Sequence, residues 1–116
     1  MISIERVYGS ERKGFRILVD RVWPRGLTKE SVNANMWLKD VAPSDRLRKW
    51  FGHDESKWEK FREKYKNELK TKQQVERLRE IKDLEGKNKN IILLFGAKDE
   101  KHNQAVVLKE VLDSFR

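Results

Sequence analysis

The run IILLF at positions 91–95 is the feature that leaves this chain least freedom. It stands in a sequence where 40% of residues are charged and only 37% are hydrophobic. Five consecutive large apolar residues cannot alternate between core and solvent, so both faces of the strand they form must be covered. A strand buried on both faces belongs inside a parallel sheet with other layers against it. The run therefore predicts an α/β fold: a small single domain over residues 1–116, with a short, mostly parallel sheet packed with helices. A chain of 116 residues has room for one modest core.

The other elements arrange themselves around that strand, which the pattern extends over 90–97. Residues 2–8, ISIERVY, alternate apolar and polar and predict a strand with one buried face. Glycines 9 and 14 bracket a turn, and FRILVD (15–20) is a second, more continuously apolar strand. Pairing FRILV in parallel with IILLF gives the expected centre of the sheet. Pro24 and Gly26 end regular structure, and residues 27–43 read as irregular, with a short helical turn after Thr28. Ser44 is placed to cap a helix with Asp45 in its first turn and Gly52 at its end. Asp54 or Ser56 caps the next helix, predicted to reach about Lys72 with Trp58, Phe61, Tyr65 and Leu69 inward. Val75, Leu78 and Ile81 mark a third helix stopping near Gly86, and Ala105, Leu108, Leu112 and Phe115 a last one.

Composition removes several chemistries. There is no cysteine, so disulfides, thiolate nucleophiles and thiolate metal sites are excluded. His53 and His102 lie in no metal-ligand spacing, and no cofactor or metal is expected. No apolar run approaches the roughly 20 residues of a membrane span, and the N-terminus has no signal-peptide core, so a cytoplasmic protein without membrane contact is expected. No glycine-rich phosphate loop and no nucleophile elbow is present. The net charge of +8 suits anionic partners. It is spread, however: residues 54–89 hold twelve basic and nine acidic side chains, and there is no basic tail. That dispersal reads mainly as a solvated charged surface, so nucleic acid is not the favoured partner.

A site is expected where the two central strands end, because ligands of open α/β sheets lie outside the carboxyl ends of the strands. Asp20, Arg21, Trp23 and Arg25 follow the first strand, and Lys98, His102 and Asn103 follow the second. Trp37 and Lys39 lie in the irregular segment between. If the strands are parallel neighbours, these clusters converge, with the cations ready for an oxyanion and Trp23 and Trp37 as walls. The plainer reading is that Asp20 and Arg21 pair to pin a loop and that Trp23-Pro24 plugs the core. Trp50 and Trp58 sit on apolar helix faces and read as core. Arg48 either lines the pocket or pairs with a carboxylate. His53 is a loop histidine beside a helix cap, and a general base only if a partner is near.

The segments RILVDRVWPRGLTKE, WLKDVAPSDRLRKWFGHDESKWEKFREKYKNEL and ILLFGAKDEKHNQAVVLKEVL together resemble the DUF488 family, in its short YeaO-like branch. The resemblance covers nearly the whole chain and implies a small cytoplasmic α/β domain without an assigned activity. Longer members of that family carry a cysteine-containing motif at the last strand, followed by Cys-His-Arg. This chain has LLFGAKDEKHNQA there, which removes thiol chemistry and any mechanism built on it.

Two classes of function follow from the residues. One is a small-anion or nucleotide pocket at the strand ends, with or without catalysis. The other is a module for macromolecules, either a basic nucleic-acid-associated domain or a protein-binding accessory domain. The sequence assigns neither an oligomeric state nor a catalytic residue.

Overall fold

Alternate residues of the strand Ile91–Phe95 point to opposite sides, and both sides are dry. In the computed structural model, which describes residues 1–115, this strand (β4) lies between β1 (Ile2–Arg6) and β2 (Phe15–Leu18). A two-residue β3 (Met36–Trp37) extends the sheet beyond β2, giving the order β1-β4-β2-β3. Every pair is parallel, with Phe15 opposite Ile91 and Leu18 opposite Leu94. The parallel pairing of the two apolar strands is therefore present.

The two faces of the sheet are covered differently. Ile91, Leu93 and Phe95, with Ile17 and Val19, face the helices. Ile92 and Leu94, with Val7 and Leu18, face a thinner layer of Val32, Tyr8, Trp23, Leu27 and Ala34. Arg16 is buried beneath that layer at 6% exposure. Its guanidinium donates to the carbonyls of Arg12 (2.7 Å), Asn33 (2.9 Å) and Val32 (3.0 Å), which ties the loop after β1 to the segment after β2. A buried charge needs such partners, and carbonyl dipoles supply them here in place of a carboxylate.

Helix boundaries follow their caps. α1 (Lys29–Val32) is the short turn expected after Thr28, held by reciprocal bonds between Thr28 and Ser31. α2 (Asp45–Phe51) starts at Ser44, whose hydroxyl accepts from the Leu47 N–H, and ends at Gly52 in the left-handed region (φ 51°). Asp54 caps a 3-10 turn at Glu55–Lys57 that leads into α3 (Trp58–Glu68). This helix stops short of Lys72, because the Thr71 hydroxyl caps the next one by accepting from the Gln74 N–H. α4 (Lys72–Lys87) runs through Gly86, where a stop is expected. α5 (Gln104–Asp113) is capped by Asn103. Arg62 and Lys66 of α3 both bind Glu110 of α5, holding its carboxyl below the usual range.

The aromatic assignments need adjustment at Trp50 and Trp58, which are both only partly buried against the core. Phe51, Phe61 and Tyr65 form the buried row, with Trp58 stacked on Phe61 at 5.7 Å. Trp50 is only partly buried, and Lys57 and Lys64 lie over its ring at 5.1 and 5.2 Å. Its truncation should therefore fall below the roughly 3–5 kcal/mol of a fully buried tryptophan, at about 1–2 kcal/mol including the lost cation–π contacts. Chemical denaturation of Trp50→Ala checks this.

Candidate functional site

Because the strands all run one way, their carboxyl ends share one edge of the sheet. The ends of β2 and β4 meet there. The Gly96 N–H donates to Asp20 Oδ2 at 2.8 Å, and the side-chain amide of Gln104, the first residue of α5, donates to Asp20 Oδ1. The approach is so close that a Cβ on Gly96 would lie 2.8 Å from Asp20 Oδ2.

A cleft of about 260 Å³ opens around this junction. Phe51, Phe61, Trp23 and Tyr8 give it apolar walls, and Arg21, Arg25, Arg48 and His53 line it with polar groups. Asp20 makes no ion pair among the described residues and is bound only by neutral donors. Burial pushes its carboxyl up to about 6, overriding the lowering effect of both hydrogen bonds.

The remaining site residues divide clearly. Arg21 lines the cleft but pins a loop, donating from Nε to the Pro43 carbonyl (2.9 Å) and from Nη2 to the Ala42 carbonyl (3.2 Å). It does not pair with Asp20. Arg25 is exposed at the mouth, and its carbonyl accepts from the Tyr8 hydroxyl at 2.8 Å. Asn103 is 2% exposed, lines the cleft and caps α5, accepting from the Val106 N–H. Trp23 lines the cleft and meets Trp37 edge-on at 5.3 Å. Trp37 lies behind it, with its indole N–H on the Asp20 carbonyl at 2.7 Å. Lys39 sits over the Trp37 ring at 5.1 Å, outside the cleft.

Lys98 and His102 are not among the lining residues. Lys98 is exposed. His102 turns the other way, with Nδ1 2.9 Å from Asp99 Oδ2, 3.7 Å from Glu55 and its ring edge-on to Trp58. The two strand-end clusters thus meet through Asp20, Gly96, Asn103 and Gln104 rather than through Arg21 and Lys98. Arg48 lines the rim, 3.2 Å from Asp45. Among the described residues, no three His, Asp or Glu side chains gather as a metal site would require. No helix is long and apolar enough to cross a membrane.

Tyr8, Phe51, Phe61 and Gln104 escape a sequence reading of the site. Phe51 and Phe61 carry the same helical-spacing signal as any core residue. Tyr8 and Gln104 follow a strand and open a helix, and only the neighbouring of β1, β2 and β4 makes them converge.

Comparison with known proteins places the chain. The model of the DUF488-N3i family, described as the inactive DUF488-N3 subclade, matches residues 1–115. "Uncharacterized protein YeaO" of Escherichia coli (strain K12) is 39% identical over 116 residues, 97% of each chain. "Uncharacterized protein Rv3073c" of Mycobacterium tuberculosis (strain ATCC 25618 / H37Rv) is 37% identical over 82 residues, 69% of this chain and 70% of its own. No solved structure matches. Matched over residues 1–115 and 39% identical to YeaO over nearly its whole length, the chain belongs to the DUF488 family, as a YeaO-like member.

Proposed function

We propose that this protein is a binding domain for a small organic anion, seated in the cleft at the carboxyl ends of the strands. The observation that carries the reading is the meeting of three arginines, Arg21, Arg25 and Arg48, on one cleft with apolar walls. A guanidinium fork suits carboxylate or phosphate oxygens. Arg21 already gives its fork to two carbonyls, so it supplies field, while Arg25 at the mouth supplies the contact. A cleft of about 260 Å³ lies near the lower end of ligand-pocket sizes, which suits a small acid.

Binding without turnover is the better-supported form. The chain holds no cysteine, and the matching family is described as inactive. A cytoplasmic setting belongs to the same proposal. The nucleic-acid reading has less support, because basic side chains such as Arg62 and Lys66 are already paired with Glu110.

Arg25→Ala should weaken binding of small carboxylates or phosphate at least tenfold while leaving the melting temperature without ligand unchanged within about 1 °C, since its guanidinium is exposed and bonds to none of the described residues. Calorimetry and thermal shift at low salt measure both. If the wild type binds no phosphate or carboxylate, the reading is wrong.

A further inference from the structure

An anion alone does not explain Asp20. Its carboxylate lines the cleft, is fixed by Gly96 and Gln104, and has no cationic partner among the described residues. An ionised carboxylate shielded from water without a counter-charge is unfavourable, and it would repel a purely anionic guest. A carboxylate offers about four lone-pair positions, and two are used here, so it can accept two more hydrogen bonds from within the cleft. The guest that satisfies both Asp20 and Arg25 carries a cationic donor as well as an acid. Its remaining surface must match Phe51, Phe61 and Trp23.

We infer that the ligand is an α-amino acid with a small apolar side chain, bound as its zwitterion with the ammonium on Asp20 and the carboxylate toward Arg25. This rests on the anion-binding reading above and deepens it. Arg48 adds positive field beside Arg25, and the aromatic walls take the side chain. A free amino acid presents both charges on one carbon, whereas a residue inside a peptide presents neither.

The test compares matched probes. L-Leucine, 4-methylpentanoate and 3-methylbutan-1-amine share a carbon skeleton and differ only in their charged groups. Calorimetry at neutral pH on the wild type should show leucine binding at least tenfold tighter than either single-charge analogue, as expected for a charge-assisted hydrogen bond. In Asp20→Asn the advantage of leucine over 4-methylpentanoate should disappear, while the carboxylate binds as well or better. Arg25→Ala should weaken leucine and 4-methylpentanoate alike. If the wild type binds 4-methylpentanoate as tightly as leucine, the amino-acid assignment falls and anion binding stands. If neither acid binds, both fall. An unchanged preference in Asp20→Asn would also overturn the assignment, because the ammonium would then be held elsewhere.

Discussion

Asp20→Asn should make the protein more stable at neutral pH, by up to about 3 kcal/mol, which for a domain of this size is a rise of about 10 °C in melting temperature. The argument is one of linkage. In the unfolded chain the carboxyl titrates near 3.8, and in the folded protein burial raises it to about 6. Below about pH 4 both states are protonated and Asp20 contributes no penalty. Between about 4 and 6 the unfolded chain loses its proton first, so folding requires proton uptake and stability falls as pH rises. Above about 6 both states are ionised and the full penalty persists.

Asparagine removes the charge and keeps the bonds. Its carbonyl accepts from the Gly96 N–H, and its amide donates to Gln104 once that side-chain amide turns over. Thermal unfolding of the two proteins from pH 4 to 8 should show curves that coincide in acid and separate toward neutrality. Arg21, Arg25, Arg48, Tyr8 and His53 face the cleft in both proteins and cancel in the difference. A constant gap across the range would mean that Asp20 is ionised without penalty in the folded state. The trade is the one expected of a binding site: a residue that weakens the fold is kept where its charge is needed.

The sheet was legible because its signal is local and strong. Five apolar residues in a row admit few environments, and Ser44 and Gly52 place the two ends of α2 by their own chemistry, whereas the Thr71 cap that stops α3 short of Lys72 lies inside an unbroken run of helix formers. β3 was not legible, since two residues show no period and pair only because Asn35 and Leu38 bond back to Arg16 and Leu18. The site was half legible. Asp20, Arg21, Trp23, Arg25 and Asn103 line the cleft, and each follows an apolar strand directly or caps the helix that comes next. Lys98 and His102 share that sequence position but lie outside the lining: Lys98 is exposed, and His102 follows its own hydrogen bond. Asp99 draws His102 toward α3 and Glu55. Arg21 shows a similar limit. Its placement beside Asp20 suggested a pair, yet the carbonyls of Ala42 and Pro43 claim its fork.

Gly96→Ala should be among the most damaging single-methyl additions to this protein, at about 2–4 kcal/mol by denaturant unfolding. Its backbone lies outside the left-handed region, so alanine is compatible with the local conformation. The damage comes from one contact: the new Cβ lies 2.8 Å from Asp20 Oδ2, and the next side-chain neighbour, Tyr8, is at 3.9 Å. Relieving that overlap means moving the carboxyl and losing its bond from the Gly96 N–H. Asp20→Ala also loses that bond and leaves the N–H unpartnered, at about 1–3 kcal/mol, offset by removal of a poorly solvated charge. Once the carboxyl is gone, however, the Gly96 methyl enters open space. The double variant should therefore be barely less stable than Asp20→Ala alone, with a coupling of about 2–3 kcal/mol between the two sites. Additive losses would instead locate the strain at Gly96 in the backbone. Strong coupling would identify the β2–β4 junction as one unit, in which a residue without a side chain exists so that the carboxyl opposite it can face the cleft.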